Sequence, residues 1–314
     1  MQDQEPGLRW GVERRLEFIE FRLYWEGRIN RSDITRYFRV SVPQASKDLS
    51  QYQEHAPDNL EYDKSEKCYL AAPSFKPRFF RPDPDKYLAQ LRSIGEHISE
   101  PEETWLSNFP PLDCLPILRR KVDENVLRTI LTAVREKRSV DIHYQSMNPE
   151  HPEPMWRGIS PHAFGSDGFR WHVRAFCHRD DKFKDFLLSR TLDCRLEEEA
   201  KASSSGDADW HAFFEVVLKP NPKLSQTQQS TIAGDFHMDN NKSVLPVRKA
   251  LLYYFEKRLR FDVSQALDNP QEAPVVIANK KDFDEALAEA KGQLDRSNME
   301  MEEKNRVARG TTNV

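Results

Sequence analysis

Ser41, Gln44, Ser46, Lys47 and Gln51 crowd into the stretch SVPQASKDLSQ, just after three arginines at Arg31, Arg36 and Arg39. None of the five is bulky or apolar, and their chemistry is that of a nucleic-acid edge. Glutamine can make two hydrogen bonds to an adenine, serine accepts several bases, and lysine and arginine meet phosphate or guanine. Between positions 28 and 47 five cations (Arg28, Arg31, Arg36, Arg39, Lys47) face one acid, Asp33. Lys64 and Lys67 follow at a polar turn. The 314-residue chain as a whole carries a net charge of −4, so the placement of the cations, not their total, favours an anionic partner. A surface that binds another protein has the same composition, and that reading stays open.

Catalytic chemistry is harder to find. There is no GxSxG, HExxH, GxxxxGK[ST] or GxGxxG. Cys177 and His178 are adjacent on a predicted strand and so point to opposite faces. No catalytic residue is expected. The four cysteines (Cys68, Cys114, Cys177, Cys194) are scattered without metal-ligand spacing, so neither a metal nor a cofactor is expected. No apolar run reaches the roughly 20 residues a bilayer span needs. The opening MQDQEPGLRW lacks a basic-then-apolar leader pattern, and the expectation is a cytoplasmic protein.

The elements that must position the polar cluster follow from periodicity. Leu16, Ile19 and Leu23 recur at helical spacing over 13–27, and Ser32 is a candidate cap for a short helix DITRYFRV. Pro43 suits the first turn of a third helix. On that helix Ala45, Leu49 and Tyr52 or Gln53 can turn inward, leaving Gln44, Ser46, Lys47, Ser50 and Gln51 outside. LEYDKSEKCYLAA reads as strand, turn, strand. Three helices and a hairpin make a winged helix-turn-helix over residues 1–73. Prolines over 73–86 predict a linker, with a connecting helix before residue 122. DENVLRTILTAVREK is strongly amphipathic, capped by Asp123. SVDIHYQSM, GFRWHVRAFCH and FKDFLLSRTLDCRLEE then alternate as strands of a small bent sheet or barrel. On RWHVRAF, alternation sets Arg170, His172 and Arg174 on one face and Trp171 in the core.

GFRWHVRAFC at 168–177 stands where the WYL-domain family carries its Gly-x-Trp-Tyr-Leu strand; it keeps Trp171 and has His172 and Val173 in place of Tyr and Leu. HYQS at 143–146, WRGISPHAF at 156–164 and FLLSRT at 186–191 match the surrounding family pattern. Over roughly residues 10–265 the chain resembles the WYL transcriptional regulators that accompany bacterial anti-phage defence systems. The resemblance implies an N-terminal winged helix, a central Sm-like β-barrel and a C-terminal extension that aids dimerisation. It also implies that the barrel senses a nucleotide or single-stranded nucleic-acid effector, through Tyr144, Ser146, Arg157, His162, Arg174 and Arg190. Converging arginines offer fork-shaped donors to phosphate, and the tyrosine offers a ring for a base. The bland reading of these arginines is that Arg157 and Arg190 tie strands together through Asp141, Asp185 or Asp193.

The expected architecture is therefore multidomain α+β: a winged helix-turn-helix (1–73), a linker and connecting helix (74–122), a WYL barrel (123–200), a small α+β dimerisation module (210–279) and a charged helical or disordered tail (280–314). FFEVVL and LLYYFEKRLRF are candidates for the dimer surface, the alternative being that their apolar faces are buried within the module. The expected function is repression of a phage-defence operon by a homodimer bound to a double-stranded operator with an inverted repeat. The alternative is an RNA-binding Sm-like adaptor.

Overall fold

The computed structural model describes residues 10–149, 151–263 and 269–290. The chain divides into two compact units, residues 1–117 and 118–314.

In the first unit, α1 (Trp10–Glu26) leads through the two-residue β1 (Arg28–Ile29) into α2 (Arg31–Phe38) and α3 (Val42–His55). The cap of α2 is Asn30, not Ser32. Its side chain accepts from the Asp33 amide while Asp33 reaches back to the Asn30 amide, a reciprocal capping box. Arg39 closes α2 in the left-handed region at φ 54°, which turns the chain tightly into α3. Ser41 caps α3 by accepting from the Gln44 amide, with Pro43 in the first turn. The wing is β2 (Leu60–Asp63) and β3 (Cys68–Ala71), and β3 also pairs with β1. Leu16, Ile19, Leu23, Ile34, Ala45, Leu49 and Tyr52 form one apolar core, so Tyr52, not Gln53, faces inward.

The proline-rich stretch expected as a linker is packed. Phe75, Phe79 and Phe80 lie against the core of this unit, as do Tyr87 and Leu91 of α4 (Pro84–Gly95) and the buried Trp105 and Leu106. The anchor is Glu20, whose side chain is fully buried on α1. It accepts from the backbone amides of Arg78, Phe79 and Phe80 at 2.7–2.9 Å and from the Tyr52 hydroxyl at 2.9 Å. A segment with no regular structure thus finds its buried N–H partners in a side chain.

In the second unit, α5 (Glu124–Glu136) is capped by Asp123 and is followed by β4 (Arg138–Tyr144), β5 (Met155–Ser166), β6 (Trp171–Cys177), β7 (Lys182–Leu187) and β8 (Thr191–Glu199). They form one antiparallel sheet in the order β7-β6-β5-β4-β8. Among the described residues no ladder joins β7 to β8, so the sheet is open where a closed barrel was expected. A single turn of 3-10 helix at Leu188–Arg190 splits the predicted third strand into β7 and β8. Val126, Ile130 and Ala133 of α5 pack on Val140, Ile142, Ile159, Val173 and Ala175. Trp171 shares their face by alternation but is 58% exposed at the start of β6, outside this core cluster. It is not the core residue that alternation suggested.

The remaining elements are α6 (Ala208–His211), β9 (Phe213–Pro220), α7 (Gln226–Asp235), β10 (Ser243–Arg248), α8 (Leu252–Arg258), β11 (Val275–Ile277) and α9 (280–290). Their sheet runs β10-β9-β11. Val216 and Leu218 of FFEVVL, Leu252 of LLYYFEKRLRF and Phe283 of α9 are buried together, so these faces are spent within the module. The tail expected from residue 280 is helical to 290; beyond that it lies outside the described residues.

Replacing Glu20 by Gln puts an N–H₂ among backbone donors. The variant should lose about 2 kcal/mol in urea unfolding of the first unit, and the amides of residues 78–80 should exchange faster.

Candidate functional site

The nucleic-acid candidates all belong to α2, the turn after it, α3 and the wing. Arg31, Arg36, Arg39, Ser41, Lys47, Lys64 and Lys67 are exposed, and Gln44, Ser46 and Gln51 are half-buried. Arg31 opens the eight-residue α2 and Arg39 closes it, about 12 Å apart along the axis. Lys67 adopts a left-handed conformation, φ 52°, as the chain turns back into β3. Two side chains have duties inside the chain. Ser41 is the α3 cap, and the Gln44 amide donates to Asp48 at 2.9 Å. Asp48 is buried and is held by Arg15 at 2.6 and 3.1 Å, so this acid adjoining the basic window is neutralised from α1. Its place one position after Lys47 was the signal available in the sequence.

The second unit contains a cavity of about 840 Å³. Tyr144, Ser146, Arg157 and Arg174, four of the six predicted effector residues, line it. Arg157 is only 8% exposed, comes no closer than 3.9 Å to Asp180, and its Nε–H has no hydrogen-bond partner. A buried guanidinium N–H without an acceptor is costly unless a ligand or water supplies one. Arg174 differs. Its Nε and one Nη donate to Asp207 at 2.7 and 3.0 Å, and its other Nη reaches Asp185 at 3.5 Å. The strand-tying acids are thus Asp207, Asp185 and Asp180, rather than Asp141 or Asp193.

His162 and Arg190 do not line the cavity. The β5–β6 register shifts between Pro161 and Ala163, which makes His162 the extra residue of a bulge. It meets Asp207 at 2.9 Å, with ring edges against Phe183 and Trp210. Arg190 ends the 3-10 turn, and its carbonyl accepts from the Gln145 amide.

Sequence reasoning missed the far wall. Asp207 and Asp209 come from the segment between the predicted barrel and the C-terminal module, Lys249, Tyr253 and Tyr254 from around the start of α8, and Leu287 from α9. Tyr254 donates to Asp185 at 3.2 Å and packs on His172, ring centroids 4.4 Å apart. Asp207 is 1% exposed and caps α6 by accepting from the Trp210 amide. Burial alone would raise its carboxyl pKa, but the hydrogen bonds from His162 and Arg174 hold it below the usual range. Among the described residues no group of His, Cys, Asp and Glu could hold a metal ion, and no helix is long and apolar enough to cross a membrane.

These parts define a class: a regulator with a winged helix-turn-helix, a WYL domain and a C-terminal dimerisation domain. Residues 11–93 match the BrxR transcriptional regulator winged helix-turn-helix domain, residues 125–196 the WYL domain, and residues 213–283 the BrxR transcriptional regulator C-terminal dimerization domain. The chain is 37% identical over 282 residues to the DNA-binding transcriptional repressor CapW of Escherichia coli, covering 90% of this chain and 94% of the relative. CapW proteins of Pseudomonas aeruginosa (37%; 90% and 93%) and Stenotrophomonas maltophilia (37%; 91% and 96%) align similarly. The chain belongs to the CapW family of BrxR-type WYL-domain transcriptional regulators.

Asp207→Ala should leave Arg174 buried with only its 3.5 Å contact to Asp185 and destabilise the second unit by about 3 kcal/mol in denaturant unfolding. Because the folded-state pKa of Asp207 is depressed below the ordinary aspartate value of 3.8, its stabilisation is present above that value and lost as pH falls through the folded pKa. Unfolding titrations from about pH 5 to pH 3 should therefore weaken the wild type more than Asp207→Ala.

Proposed function

We propose that this chain is a sequence-specific DNA-binding repressor that acts in the cytoplasm as a homodimer on an inverted repeat and governs a phage-defence operon. The observation that carries the reading is the outward side of α3. Lys47 and Ser50 are exposed there, Arg39 precedes it, and the apolar residues of the helix are committed to the core of the first unit. Family membership supports the same reading, since the relatives carry the name of DNA-binding repressors. Two-fold symmetry of the protein calls for two-fold symmetry in its operator. The direct test is a gel shift with the DNA upstream of the protein's own gene, with and without nucleotides. Retardation by an unrelated duplex at equal affinity would rule out sequence-specific recognition.

A phosphate-bearing effector, a nucleotide or short single strand, would occupy the cavity of the second unit. Arg157 supports this: it lines the cavity, its Nε–H is without a hydrogen-bond partner, and the space is large enough for a nucleotide-sized ligand. Occupancy would favour one spacing of the two winged helices and the operator another, so the two ligands oppose each other by linkage.

Lys47→Ala should weaken duplex binding and reduce the slope of log affinity against log salt by about 1; an unchanged slope removes Lys47 from the phosphate contacts. Arg157→Ala should leave the gel shift intact and abolish its reversal by nucleotide. Reversal that survives the substitution removes Arg157 from the effector site.

A further inference from the structure

The cavity's other arginine is already engaged by the chain itself. Asp207 holds Arg174 with two hydrogen bonds and takes a third from His162, while the Arg174–Asp185 contact is longer, at 3.5 Å. Asp207 lies in the connector between β8 and β9, where Ser203–Gly206 before it and Ala208 after it are exposed. A buried carboxylate in an exposed connector is unusual, and α6, the helix it caps, is only four residues long. To a guanidinium fork and an imidazole, a carboxylate and a phosphate look alike: both present paired anionic oxygens.

We propose that Asp207 occupies, in cis, the place of the effector's anionic group, so that an anionic effector binds by displacing Asp207 from Arg174 and His162 and frees the connector that leads to the C-terminal module. The inference rests on the reading of the cavity as the effector site. Arg157, which lines the cavity with an unpartnered Nε–H and only a 3.9 Å contact to Asp180, gives an incoming anion a foothold that breaks no hydrogen bond of Arg174. The exchange at Arg174 then trades one anion for another, and Asp207 regains water. From α6 onward the connector stays tied to the module, through the Arg248 bond to the Trp210 carbonyl and the Lys249 amide bond to the Ala212 carbonyl. Movement therefore passes from the released carboxylate toward β10 and α8. The affinity of the free protein for the effector is reduced by the cost of opening this internal pair.

The test uses the full chain and a 5′-phosphorylated thymidine trinucleotide, titrated by calorimetry, with hydrogen–deuterium exchange read over residues 200–212. Asp207→Asn removes the charge and keeps a good helix cap. It should bind the probe about tenfold more tightly than the wild type, and its probe-free exchange over 200–212 should resemble that of the probe-bound wild type. Asp209→Asn removes a charge from the same cavity without breaking a bond to Arg174, and should gain less than about threefold. Should Asp207→Asn fail to fold, Asp207→Ser carries the same expectation. Equal probe affinity in the wild type and Asp207→Asn, or equal gains from the two asparagine variants, overturns the exchange and leaves the cavity reading standing. Binding that persists unchanged in Arg157→Ala, or no binding by any variant, overturns the cavity reading and the exchange with it.

Discussion

The organisation of the second unit depends on one carboxylate shut away from water. Asp207 draws together the bulge of β5 through His162, β6 through Arg174 and the connector through the Trp210 amide. One face of the WYL sheet is sealed by α5 with aliphatic side chains, a contact that is strong and without direction. Where the C-terminal module meets His172, Arg174 and Asp185, charge and hydrogen bonds hold it instead. A buried ion pair adds little net stability, because desolvation offsets much of the attraction, but it fixes geometry and fails as a unit when one partner leaves. The wall that meets the cavity is thus the one built from directional bonds between charged groups.

The first unit is built on the opposite plan. Its core is a continuous apolar cluster of α1, α2 and α3 with aromatic residues from the segment after the wing. Its basic residues on α2 and α3 are left outside, Asp48 is neutralised by Arg15 of α1, and the buried Glu20 is satisfied by backbone amides and the Tyr52 hydroxyl. Rigidity in such a domain keeps α3 in one orientation, which groove recognition requires.

The helical parts were legible in the sequence because their signals are local. Pro43, Asp123 and the spacing of Leu16, Ile19 and Leu23 each act within a turn or two, and the structure places all of them as read. The cap at Asn30 was missed for Ser32 because the helix was read from Asp33, whereas α2 begins at Arg31 and Ser32 is already its second residue. β5 escaped because Pro161 sits inside it, and a proline argues against a central strand; the bulge that admits it also re-aims His162. Trp171 was misplaced because alternation assigns a face but not how far the covering helix extends. The cavity was half legible. The residues on the WYL strands carry family pattern, whereas Asp207 and Tyr254 lie about 30 to 80 residues away along the chain, brought near by tertiary packing alone.

The Glu20 anchor joins two things that sequence keeps apart. One oxygen of its carboxylate receives both the hydroxyl of Tyr52, a residue of α3, and the amide of Arg78, and the second oxygen receives Phe79 and Phe80. The segment of chain leaving the wing is in this way joined to α3 through a single side chain. A displacement of residues 78–80 would therefore be felt at α3 through one carboxylate, by a route separate from the apolar contacts of the core.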